Sequence, residues 1–195
     1  MAIKSAKTRT AARTRKLELR SKLWPGVEDE HVWDRHNRDG FATVPRSLPL
    51  ILSIMNALGE KGQPLGPTYL ELFCRLGDEA FLNINRPQEM AFASGFKGQR
   101  ALYTWRDRLS KLRDLGFIDF KEGPNGEFSY GLFWNPYHVI RRHFDAGRVD
   151  DASWQALIFR THEIGANDLD EDLPDLPTAK SIKKKPVKRA KGGDK

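Results

Sequence analysis

At 195 residues, with 33 basic and 26 acidic side chains, the chain can hold one ordinary core plus appendages, since domains run to about 100–150 residues. Cys74 is the only cysteine, which excludes an intrachain disulfide and any multi-cysteine zinc site and fits a reducing, cytoplasmic setting. The longest apolar stretch, Leu48 to Leu58, is broken by Ser53 and Asn56 and falls far short of the roughly 20 residues of a membrane span.

The basic N-terminus has no apolar run behind it, so it does not read as a secretory signal. Charge is segregated along the chain. Residues 1–22 hold eight Lys or Arg against one acid, Glu18, and residues 180–195 hold eight against Asp194. Between them the body is net acidic, with a dense run at Asp168, Asp170, Glu171, Asp172 and Asp175. Basic ends on such a body are the pattern of arms that seek a polyanion.

Residues 1–22 mix Ala, Thr, Lys and Arg without a full apolar stripe, which predicts a basic arm, disordered or nascently helical. Residues 23–166 are expected to form the folded domain. Trp24, Val27, Val32 and Trp33 are expected to dock on it, ahead of the turn cluster Asn37 to Gly40. The spacing Leu48, Ile51, Leu52, Met55, Leu58 predicts a helix begun near Ser47 and Pro49 and ended near Gly59. Thr68 is placed to cap a second helix through Tyr69, Leu72, Phe73 and Leu76, closed by Gly77.

After the irregular run FLNINR, Pro87 suits the first turn of a short third helix whose Met90, Ala91 and Phe92 face a core, with Gly95 at its end. Leu102, Trp105, Leu109 and Leu112 form one stripe of a long helix over 98–115, stopped by Gly116. Two alternating runs, FIDF and EFSYGLFW, flank Asn125-Gly126 and predict a hairpin. Tyr137 to Phe144 and Ser153 to Ile164 read as helices that cap the domain or form a homodimer surface. Residues 167–195, acidic then basic, have too little apolar surface to offset the entropy of ordering and read as disordered. The acidic run is expected to fold back on the lysines when no polyanion is bound.

Short helix, glycine turn, long amphipathic helix and hairpin over residues 87–134 resemble the core of the winged helix-turn-helix superfamily. The segment LSKLRDLGFI carries most of that resemblance, and GLFWNPYHV is loosely similar to bacterial plasmid replication and regulatory proteins of the same fold. The resemblance implies a mainly α fold with a small β-hairpin and extra flanking helices, binding DNA with helix 98–115 as recognition helix. With Leu102, Trp105, Leu109 and Leu112 inward, Arg100, Tyr103, Thr104, Asp107 and Lys111 fall on the opposite face. Arg100 is suited to guanine, Gln99 to adenine, and Thr104 to a thymine methyl or a phosphate. Arg106, Arg108 and Arg113 on the flanks suit phosphates, and Lys97 in the helix-helix turn and Lys121 in the wing complete the candidate set. The wing departs from the family pattern, with Asp119, Glu122 and Glu127 beside Lys121.

No catalytic constellation emerges. His138 and Arg141 have the spacing found in tyrosine recombinases, but the last tyrosine is Tyr137, so no nucleophile follows. His31 and His36, like His138 and His143, are five apart and miss the i, i+4 spacing of paired helical ligands. Cys74, in an apolar helical context, reads as a buried structural thiol. Gly95 to Gly98 lacks the phosphate-loop pattern. The expectation is therefore a non-enzyme without cofactor or metal, its partner being DNA: a transcriptional regulator or a plasmid-type replication accessory factor. The alternative is a winged-helix protein-interaction module with non-specific nucleic-acid affinity from its tails.

Overall fold

Residues 6–23 contain neither Gly nor Pro and are rich in Ala, Leu, Lys and Arg, the strongest helix formers, and they form helix α1 (Ala6–Leu23). This is more regular than the expected basic arm, because intrinsic propensity sustains a helix that has no apolar stripe to bury. Pro25 and Gly26, at φ 82°, end it. The computed structural model describes residues 6–27, 32, 39–77 and 79–174, with side chains from residue 14 onward. Trp33, the start of the turn cluster and the lysine-rich residues 180–195 lie outside them. The chain divides into two compact units, Met1–Phe41 and Ala42–Lys195. In the first, Trp24 and Val27 are exposed rather than docked in a core.

The second unit starts with α2 (Leu48–Leu58) and α3 (Gly66–Cys74). Leu48, Ile51 and Met55 are buried as their spacing predicts, and Ser47 shares a buried hydrogen bond with the Tyr137 hydroxyl. Thr68 does not cap α3. It is buried inside the helix, and the cap comes from Asn56 of α2, whose Oδ1 accepts from the Leu65 and Gly66 N–H groups at 2.8 and 2.7 Å. Cys74 corrects the expectation of a buried thiol, for it is exposed. At about 100° per residue it lies opposite the row Thr68, Tyr69, Leu72 that enters the core.

Then come β1 (Phe81–Asn83), α4 (Pro87–Ala93), α5 (Ala101–Asp114), β2 (Ile118–Gly123), β3 (Gly126–Phe133), α6 (Pro136–Asp145) and α7 (Asp151–Ile164). The expected hairpin is thus part of a three-stranded antiparallel sheet in the order β1-β3-β2. Phe81 pairs with Leu132 and Asn83 with Tyr130, while Ile118 pairs with Phe133 and Lys121 with Tyr130. Among the described residues the architecture is mixed α/β, with seven helices and one small sheet. No described helix is long and apolar enough to cross a membrane.

One apolar cluster holds the second unit together. Trp105, Leu109 and Leu112 of α5 are fully buried, with Tyr69 and Leu72 of α3, Ile51 and Met55 of α2, Phe117 just before the sheet and Ile118 of β2. Tyr69 meets the rings of Phe117 and Phe133 at 6.1 and 5.4 Å, the tilted and edge-on geometry that aromatic quadrupoles favour. Gly116, at φ 79°, closes α5, with its N–H on the Arg113 carbonyl and that of Phe117 on Leu112, a turn that a Cβ would strain. Gly123 is required for a different reason: a Cβ there would stand 2.5 Å from the Tyr130 ring.

Helices α6 and α7 bury Tyr137, Val139, Ile140, His143, Trp154 and Leu157 in the chain's own core, leaving Phe159 of α7 exposed. Residues 167–174, the start of the segment whose composition reads as disordered, lie against α6. Arg141 donates to the Leu169 and Glu171 carbonyls at 3.0 and 2.8 Å, Arg142 donates to the Pro174 carbonyl, and Asn135 donates to Asp168 at 2.7 Å. Polar contacts to α6, together with Leu169 packed on the core, hold the segment.

Candidate nucleic-acid interface

The corner between α4 and α5 is set by buried chemistry. Met90 and Ala91 anchor α4 in the core, Ser94 Oγ donates to the Met90 carbonyl at 2.7 Å, and Trp105 Nε1 donates to that same Oγ at 3.1 Å. Trp105 is fully buried, so this bond fixes the start of α5 against the end of α4. The turn follows through Gly95 and Gly98, with Ala101 N–H on the Gly98 carbonyl. Lys97, Gln99 and Arg100 are thereby exposed, Arg100 in the N-cap position with its side chain free of capping duty.

Phe92 departs from expectation. Its apolar character predicts the core, but it is 65% exposed, because it lies about 150° around α4 from the centre of Met90, Ala91 and Ser94. The Lys97 ammonium stands 5.8 Å from the centroid of its ring, and one turn on the Arg100 guanidinium stands 5.5 Å from that of Tyr103, which is 68% exposed. Arg106 is exposed and Thr104 half-buried on the same stretch of helix. Among the described residues Lys97, Arg100 and Arg106 have no carboxylate partner, and such cations keep their full charge for a ligand.

Farther along α5 the candidates are engaged. Arg108, expected on a phosphate-facing flank, is only 7% exposed. Its Nη1 donates to Gln63 Oε1 at 2.5 Å and to Asp107 Oδ2 at 2.6 Å, and its Cζ lies 6.0 Å from the Phe96 centroid. Lys111 pairs with Glu60, which also accepts from Gln63 at 2.9 Å. That pairing holds the Lys111 ammonium above its ordinary pKa and the Glu60 carboxyl below its own. Arg113 pairs with Glu127 and lies over Phe128 at 5.3 Å. The α2–α3 loop and the hairpin therefore neutralise the second half of the helix, through partners far away in sequence that helical spacing could not indicate.

The hairpin offers little reach. Its tip is tied back where Asn125 Nδ2 donates to the Ile84 carbonyl at 3.1 Å and Ser129 Oγ donates to the Gly126 carbonyl at 2.8 Å. Lys121 is exposed but lies 3.4 Å from Asp119. Tyr130 and Phe81 stack at 6.0 Å on neighbouring strands, with Phe81 and Leu132 exposed. Among the described residues no three His, Cys, Asp or Glu side chains cluster as a metal site requires. No family model, curated protein or solved structure matches the chain.

Proposed function

We propose that this chain binds DNA through the α4–α5 corner and the first half of α5, as a regulator or a plasmid-type replication accessory factor. One observation carries the reading: Lys97 and Arg100 at the α4–α5 turn and Arg106 in the first half of α5 are exposed and have no carboxylate partner among the described residues. The element order α3-β1-α4-α5-β2-β3 with strand order β1-β3-β2 is compatible with a winged-helix layout in which α5 is the recognition helix. The basic ends add phosphate contacts without sequence preference, each carrying eight Lys or Arg. No step of the reading needs a catalytic residue or a cofactor.

Fluorescence anisotropy with a selected and a scrambled duplex tests it. Arg106→Ala should weaken both and lower the slope of log affinity against log salt by about 0.9. Arg100→Ala should cost about 1–3 kcal/mol on the selected duplex and much less on the scrambled one. Wild-type affinity in both variants would remove the corner from the interface. The second reading, a protein-interaction module, draws on the outer sheet face, where Phe81, Tyr130 and Leu132 leave apolar surface uncovered. A homodimer would have Phe159 of α7 as its available anchor.

A further inference from the structure

We infer that the α4–α5 corner receives unpaired bases, stacking them on Phe92 and Tyr103 while the neighbouring cations meet the phosphates, so that the preferred ligand is a single strand. The inference rests on the reading that this corner binds nucleic acid, and it puts a single strand in place of the duplex groove as the ligand the corner holds best.

Exposed aromatic rings beside unpaired cations are the two components of a single-strand platform, because every base has a face to stack and every linkage a charge. Phe92 and Tyr103 each expose about two thirds of their surface, and each ring has a cation within 6 Å of its centroid. Both cations are without carboxylate partners among the described residues, so they orient the rings and remain attractive to phosphate.

Duplex binding would use the helix differently. A recognition helix lying in a major groove presents several turns between two phosphate walls. At about 100° per residue, the outward row of α5 that begins at Tyr103 continues through Asp107, Ser110 and Asp114. On that row Asp114 repels the walls and Asp107 is tied to Arg108, while Lys111 beside them is held by Glu60, so neither Arg108 nor Lys111 is free for a phosphate. The hairpin adds no compensating grip, with its tip tied to Ile84 and Lys121 beside Asp119. A single strand needs only the corner, where the aromatic and cationic groups are.

The test is fluorescence anisotropy of the full chain with a labelled oligothymidine of about ten nucleotides and with a blunt duplex. Wild type should prefer the single strand. Tyr103→Leu should weaken that binding roughly tenfold, Phe92→Leu should weaken it in the same direction, and the duplex affinity should move less than about twofold. Tyr103→Phe, which keeps the ring, should bind as wild type does. Both positions are exposed, so the variants fold. Equal loss on both ligands, no loss on either, or a wild-type preference for the duplex overturns the stacking inference while leaving DNA binding in place. Wild type binding neither ligand overturns the DNA reading as well.

Discussion

Arg100 at the N-cap and Arg106 in the first half of α5 are used in the opposite way from the three basic side chains of its second half. Arg100 and Arg106 face solvent, Arg100 over an exposed ring. In the second half Arg108 is buried against Gln63 and Asp107, Lys111 is paired with Glu60 and Arg113 with Glu127. A charge count along a helix therefore overstates the charge available to a ligand; what matters is which cations the rest of the fold has already engaged.

The largest expected effect concerns how the second half is fixed at its end. His143 of α6 is fully buried, and its Nε2 lies 2.8 Å from the Leu115 carbonyl just past α5. A carbonyl only accepts, so Nε2 carries the proton, and Nδ1 is left buried without a partner. Burial, with repulsion from Arg148 added, lowers the pKa of the ring from 6.5 to about 4. The folded state then binds fewer protons than the unfolded one between those values. Stability is full above pH 6.5 and falls as pH drops towards 4, by on the order of 3 kcal/mol. Urea midpoints at stepped pH should show this limb, and His143→Phe should flatten it. An unchanged limb in that variant would detach the end of α5 from His143.

A smaller effect separates the arginines. Arg108→Ala should cost about 2 kcal/mol in chemical denaturation, since it leaves Gln63 and Asp107 without their charged donor. Arg106→Ala should stay within about 0.5 kcal/mol. Equal losses would erase the contrast between the halves. A small effect is also expected at Lys111, whose pair with Glu60 is half-exposed. Lys111→Ala should lower stability by less than about 1 kcal/mol, a difference that added salt removes, and should leave DNA affinity near wild type.

What the sequence disclosed were the features governed by neighbours in the chain. Leu48, Ile51 and Met55 mark α2 by spacing, Asn125-Gly126 marks the hairpin, and Trp105, Leu109 and Leu112 are the buried stripe of α5. Features governed by distant partners were hidden. Strand β1 is three residues long and is ordered by pairing with β3 almost fifty positions later, although the alternation of Leu82 and Ile84 is its faint trace. Arg108 meets Gln63 across 45 positions and Lys111 meets Glu60 across 51. Within the candidate site, helical spacing puts Arg100 and Tyr103 outward and Arg106 on a flank, where they are exposed, but it puts Arg108 on a flank too, and the apolar character of Phe92 points to the core.

The segment after α7 illustrates another kind of independence. Arg141 and Arg142 hold residues 169–174 by main-chain carbonyls, while Asp170, Glu171 and Asp172 remain exposed. A carbonyl is present whatever side chain stands beside it, so mutation can rewrite most of this stretch without releasing it. The arginines cannot drift in the same way, for each serves a backbone that offers no second copy of the donor. Selection on this docking would therefore fall on α6 and on Leu169, which packs on the core, and leave Asp170 and Asp172 free to vary.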